Sequence, residues 1–125
     1  MRIGEICLLT EDVVRLADFY KRLLRIDNHS SDPVHQTVIA EETMLTVMHA
    51  EQNERGAGQN FCLAFTVEDL DQEYQRVLSM GAEIVEGPTV RPWGASNMSF
   101  LDPDGNIVYF RCFLGNNQSK SIEKE

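Results

Sequence analysis

Ile3-Gly4-Glu5-Ile6-Cys7-Leu8-Leu9-Thr10 runs straight into Glu11-Asp12 and a helical pattern, and the same order returns at Phe61-Cys62-Leu63-Ala64-Phe65-Thr66, where Val67-Glu68-Asp69 opens a second helical pattern. Each stretch is a short β-prone run followed by acids that suit the start of a helix. A strand-then-helix unit that recurs within one chain points to two copies of one structural plan. An offset of 57 residues carries Asp12 onto Asp69, Glu11 onto Glu68 and Glu5 onto Cys62.

Working outward, the first helix is expected over Glu11 to Arg25, with Val13, Leu16, Ala17, Tyr20, Leu23 and Leu24 on one face at the helical period. Lys21, Arg22 and Arg25 close it, as the helix dipole favours. The second helix, Glu68 to Met80, turns Leu70, Tyr74, Val77 and Leu78 inward and stops at Gly81. Val34 to Ala40 and Thr43 to His49 read as strands joined at Glu41-Glu42. Past the second helix come Glu83 to Glu86, closed by Gly87-Pro88, then Ser96 to Leu101 and Ile107 to Phe113 around the turn Asp102-Pro103-Asp104-Gly105. The fold expected is α+β: two βαβββ modules, about 1–50 and 59–114, forming curved mixed sheets with the helices on their outer face. Residues 1–114 then make a single domain, and the polar stretch 115–125 a flexible tail.

Strand alternation sorts the faces, because successive side chains point to opposite sides of a sheet. Ile6 with Leu8, Phe61 with Leu63, Phe65 and Val67, and Val108 with Phe110 and Cys112 form apolar stripes for the helices. The opposite set is mixed: Glu5 and Cys7; Met44, Thr46 and Met48; Cys62, Ala64 and Thr66; Tyr109 and Arg111. Methionines, small residues and a few polar groups on one face are suited to a ligand cavity.

Composition narrows the partners. A 125-residue chain that is 42% apolar is long enough to bury a core without staples. Three cysteines, Cys7, Cys62 and Cys112, with no C-x-x-C pair, read as reduced thiols of a cytoplasmic protein. No apolar run is long enough for a signal core or a membrane span. A formal net charge of -9 repels nucleic-acid phosphates and favours neutral or cationic partners.

Several short motifs stand in a fixed order: Glu11-Asp12 then Asp18-Phe19-Tyr20, Phe65-Thr66-Val67-Glu68-Asp69, Gly87-Pro88 then Pro92-Trp93-Gly94, and Asp102-Pro103-Asp104-Gly105-Asn106. In this order the sequence resembles the vicinal oxygen chelate superfamily of glyoxalase I, extradiol dioxygenases and bleomycin-resistance proteins, over about Met1 to Phe113. The resemblance implies a homodimer. It also implies one inward metal ligand on each of four strands, at positions that here carry Glu5, Thr46, Cys62 and Tyr109. Of these, Glu5 alone is an ordinary ligand for a hard divalent ion, against the usual three or four. His29, His35 and His49 fall at or near loops and strand ends rather than at those positions.

Neither a bound catalytic metal nor another cofactor is therefore expected. The ligand-binding set is Glu5, Cys7, Thr46, Met48, Cys62, Trp93, Tyr109 and Arg111, with Arg111 either paired with Glu5 or holding an anionic ligand group, and Trp93 either stacking on a flat ligand or acting as a packing anchor. No catalytic residue is identified, and Cys62 has no histidine placed to activate it. The leading expectation is a metal-free protein holding an aromatic or cationic small molecule, similar in plan to antibiotic-sequestering members. A glyoxalase-like lyase or dioxygenase with an unusual ligand set including Glu5, and a non-catalytic regulatory or protein-interaction module, stand as alternatives.

Overall fold

Each helix begins where a carboxylate closes back on the chain. Asp12 accepts a hydrogen bond from the Arg15 amide at 3.1 Å, and Asp69 accepts one from the Gln72 amide at 3.1 Å. These side chains satisfy N–H groups that a helix start leaves without partners. Helix α1 therefore runs Val13–Leu23 and α2 Leu70–Ser79, a residue or two inside the expected spans, with the acids as caps rather than as first-turn residues. The computed structural model describes residues 3–51, 62–92 and 94–113. The expected tail at 115–125, Phe61 and Trp93 lie outside the described residues.

Both helices end through a left-handed residue. After α2 this is Gly81 at φ 80°, and the Ala82 amide returns to the Val77 carbonyl at 3.4 Å. After α1 the same place is taken by Arg25 at φ 57°, with the Ile26 amide donating to the Lys21 carbonyl at 2.8 Å. A side chain at positive φ is strained where glycine is not. Arg25→Gly is thus expected to stabilise the protein by about 0.5–1 kcal/mol in urea unfolding. A lower midpoint in that variant would show that the arginine side chain outweighs the strain.

The chain divides into two units, residues 1–59 and 60–125. In the first, β1 (Ile6–Thr10) pairs parallel with β3 (Thr43–His49), which pairs antiparallel with β2 (His35–Ala40), in the order β1-β3-β2. In the second, β4 (Leu63–Thr66), β5 (Glu83–Val90), β6 (Ala95–Leu101) and β7 (Ile107–Phe113) make the sheet β4-β7-β6-β5, with β4 and β7 parallel. The second unit is a complete βαβββ module. The first repeats the plan as β1-α1-β2-β3, with residues 27–34 standing where the second unit has its edge strand.

One helix covers one face of each sheet. Leu8, Val38, Leu45 and Val47 pack with Val13, Leu16, Ala17, Tyr20 and Leu23 in the first unit, all buried. In the second, Leu63, Met98, Phe100, Val108 and Phe110 pack with Leu70 and Val77. Phe110 meets Phe100 edge-on at 5.0 Å and Phe65 at 6.3 Å, a geometry favoured by the ring quadrupoles.

One local expectation is corrected. Gly87-Pro88 does not end β5, which continues to Val90 with irregular register between Glu86 and Thr89. As the outermost strand, β5 tolerates a proline without an N–H to donate. Lys21, near the end of α1, is 4% exposed and donates to Gln36 Oε1 at 2.6 Å. Gln36 in turn donates to the carbonyls of Ser30 and Asp32, both at 3.1 Å, which fastens residues 27–34 to β2. Within that loop the amides of Val34 and His35 hold the Asp32 carboxyl below the usual carboxylate range. Ionised Asp32 therefore supports the loop above about pH 4, and the support fades as pH falls through its lowered pKa.

Candidate functional site

The face of each sheet turned away from its helix carries the candidate residues, and register arranges them in rows. In the first unit Cys7 lies opposite Thr46 and Thr46 opposite Thr37, while Leu9, Met48 and His35 form the next row. Glu5 precedes β1, and its carboxylate accepts a hydrogen bond from the Thr46 hydroxyl. Thr46 is 3% exposed, whereas Glu5, Cys7 and Met48 are exposed. Partial burial, with the Glu5 charge second, raises the Cys7 thiol above its ordinary range, so it is a weak nucleophile at neutral pH.

In the second unit Ala64 lies opposite Tyr109 and Tyr109 opposite Ser99. The adjoining row is Thr66, Arg111, Asn97 and Thr89. Arg111 donates from Nε to Thr66 Oγ1 at 3.0 Å, and its guanidinium lies 5.2 Å from the Phe113 ring centre. Arg91 donates to Asn97 Oδ1 at 2.9 Å and forms an ion pair with Glu86. Cys62, just ahead of β4, is exposed rather than buried. Glu5 belongs to the first unit and Arg111 to the second, and each has a partner within its own unit: Thr46 for one, Thr66 and Phe113 for the other.

A parallel outer pair with a helical crossover, repeated with the same capping acids and the same helix ending, is a family trait that a family model can test. The model of the Glyoxalase/Bleomycin resistance protein/Dioxygenase superfamily matches residues 2–110. The chain belongs to that superfamily. It is 28% identical over 122 residues to the YraH protein of Bacillus subtilis (strain 168), covering 86% of this chain and 95% of that one. Among solved structures it is similar to a glyoxalase/bleomycin resistance protein/dioxygenase family enzyme from Burkholderia phytofirmans PsJN, with a TM-score of 0.77, 18% identity and coverage of 89% and 98%. Lactoylglutathione lyase from Agrobacterium tumefaciens gives a TM-score of 0.70 at 18% identity, with coverage of 89% and 92%.

The donors at the superfamily's metal positions do not fit a catalytic divalent ion. Thr46 offers a neutral hydroxyl already committed to Glu5, Tyr109 a phenol, and Cys62 a lone thiol. That leaves one carboxylate where hard ions take several oxygen or imidazole ligands. Among the described residues, no three His, Cys, Asp or Glu side chains group as a metal site. His49 stands beside Glu51 at 3.6 Å, and His29 is exposed.

His35 was expected near a loop or strand end rather than in the site, and Ser99, Asn97 and Arg91 were not among the expected site residues. His35 and Ser99 were signalled by strand alternation once β2 and β6 are given faces. Arg91 carries no such signal, since it follows β5 and reaches Asn97 through the strand pairing. On the helix side of the second sheet a cleft of about 450 Å³ opens beside the start of α2, lined by Glu68, Asp71, Thr89, Ser96 and Cys112 among others. The Cys112 thiol there donates to the Glu68 carbonyl at 3.3 Å, consistent with a packing role. No helix among the described residues is long and apolar enough to cross a membrane.

Proposed function

We propose that this superfamily member binds a small molecule without a resident metal ion, as a homodimer in the cytoplasm, through the faces that carry Glu5, Cys7, Thr46 and Met48 in one unit and Cys62, Tyr109 and Arg111 in the other. The observation that carries the reading is the Glu5–Thr46 hydrogen bond. The neighbour that meets Glu5 is a neutral hydroxyl where an ion cage would need a second charged or imidazole ligand, which leaves Glu5 as the one ordinary ligand of the set.

Metal analysis of purified protein, paired with melting curves, tests this. Metal content far below one ion per chain is expected, with a midpoint unmoved by EDTA or by added nickel, zinc, manganese or iron(II). A stoichiometric ion that survives washing would overturn the reading in favour of a lyase or dioxygenase with Glu5 among its ligands. Binding itself is visible in the same assay, because a ligand at about a hundred times its Kd adds about 2.7 kcal/mol of stability. A broad compound set that moved nothing would favour a regulatory module.

A further inference from the structure

We propose that the second unit carries an oxyanion site, in which Arg111 and Asn97 together receive a carboxylate or phosphate group of the ligand. This deepens the small-molecule reading above and rests on it. Thr66, Arg111 and Asn97 are cross-strand neighbours in one row, so their side chains share a face. The Thr66 hydroxyl takes Arg111 Nε, and the Phe113 ring lies beside the guanidinium. These contacts fix the orientation of the group and leave the two terminal nitrogens without a protein partner among the described residues. A fixed guanidinium edge with two parallel N–H donors matches the spacing of two oxygens on a carboxylate or phosphate.

Asn97 extends the pattern. An asparagine amide has an accepting and a donating end, and a strong donor beside it decides which faces where. Arg91 Nε occupies the Asn97 oxygen at 2.9 Å, so what Asn97 has left to offer is its Nδ2 hydrogens. The other end of Arg91 is matched by Glu86, which takes up the carboxylate on that side. Thr66, having accepted from Arg111, retains its hydroxyl hydrogen. The row thus still offers donors at Arg111, Asn97 and Thr66, while its remaining acceptors are second lone pairs on the neutral oxygens of Thr66 and Asn97. A cationic ligand finds no carboxylate in the row and meets the Arg111 charge, whereas an oxyanion finds several donors at once. The net charge of -9 favours cations over the surface at large, and this row is a local exception.

The test uses the full-length, 15N-labelled chain at low salt, titrated with benzoate, phenyl phosphate, benzylamine and benzyl alcohol while backbone amide shifts are followed. Saturable binding of benzoate or phenyl phosphate is expected, with shifts centred on Thr66, Asn97 and Arg111, and the tighter of the two tells carboxylate from phosphate. Arg111→Gln should weaken that binding by about tenfold or more, and Arg111→Lys, which keeps the charge and loses the fork, by less. Retention of the wild-type spectrum elsewhere verifies folding, which an exposed position permits. Equal anion affinity in Arg111→Gln, or shifts centred on other residues, would overturn the inference. Benzylamine or benzyl alcohol binding this face while both anions fail would sink the oxyanion site and leave the small-molecule reading standing. Failure of all four probes would remove both.

Discussion

Gln36→Ala is expected to destabilise the protein by about 3–4 kcal/mol, lowering the melting midpoint by about 3–6 °C for each kcal/mol. Lys21 is 4% exposed and its ammonium donates to Gln36 Oε1, 2.6 Å away. Truncating Gln36 strands a buried charge and also removes the donors that serve the Ser30 and Asp32 carbonyls. Lys21→Met should behave quite differently. It removes the charge along with its need for a partner, fills similar volume and leaves the two carbonyl bonds of Gln36 in place, but leaves buried Gln36 Oε1 without its donor, so a smaller loss of about 1–2 kcal/mol is expected. The contrast between two substitutions across one hydrogen bond is the informative result. Urea unfolding of both singles and the double variant gives the coupling directly, and a Gln36→Ala loss no larger than that of Lys21→Met would mean that Lys21 reaches water when Gln36 is removed.

That pair also shows where reading a sequence stops. The α+β order was legible because hydrophobic period and capping chemistry are local: Asp12 and Asp69 mark their helices within three residues of chain, through the amides of Arg15 and Gln72. Alternation likewise separated Leu63 and Phe65 from Ala64 and Thr66 without any knowledge of partners. The burial of Lys21 was not legible, because a charge is judged by its neighbours in sequence and the glutamine that accommodates it lies on another element. The extension of β5 past Gly87-Pro88 depends on its edge position, which is a property of the sheet. For the candidate site the residue types at the positions that the resemblance assigns to metal ligands could be read one at a time. The Arg111–Asn97 row needed the register of β6 on β7, and Arg91 needed a bond between a strand and the segment that follows its neighbour.

Asp102→Ala is expected to cost about 3–4 kcal/mol, although the residue lies in a turn. The residue is 4% exposed, and its carboxylate organises the whole connection between β6 and β7. Oδ1 accepts from the amides of Asp104 and Asn106, both at 2.9 Å, and Oδ2 accepts from Asn106 Nδ2 at 2.7 Å. Gly105, at φ 85°, supplies the left-handed step and donates to the Asp102 carbonyl at 2.9 Å. Hydrogen bonds to a charged acceptor are worth about 1.5–3 kcal/mol each and share one side chain here, so their loss is less than their sum. Asp102→Asn keeps one accepting oxygen for the two amides and turns an NH₂ toward Asn106 Nδ2, donor against donor, for an expected loss of about 1–2 kcal/mol. The consequence reaches the candidate site because this turn sets which residue of β7 faces which residue of β6. A one-residue slip would turn Arg111 from its row with Asn97 to the helix side of the sheet. Hydrogen exchange should therefore quicken along β7 in Asp102→Ala, and anion binding at Arg111 should weaken even in the fraction that remains folded. An alanine variant within 1 kcal/mol of wild type would show instead that strand pairing, and not the turn, holds the register.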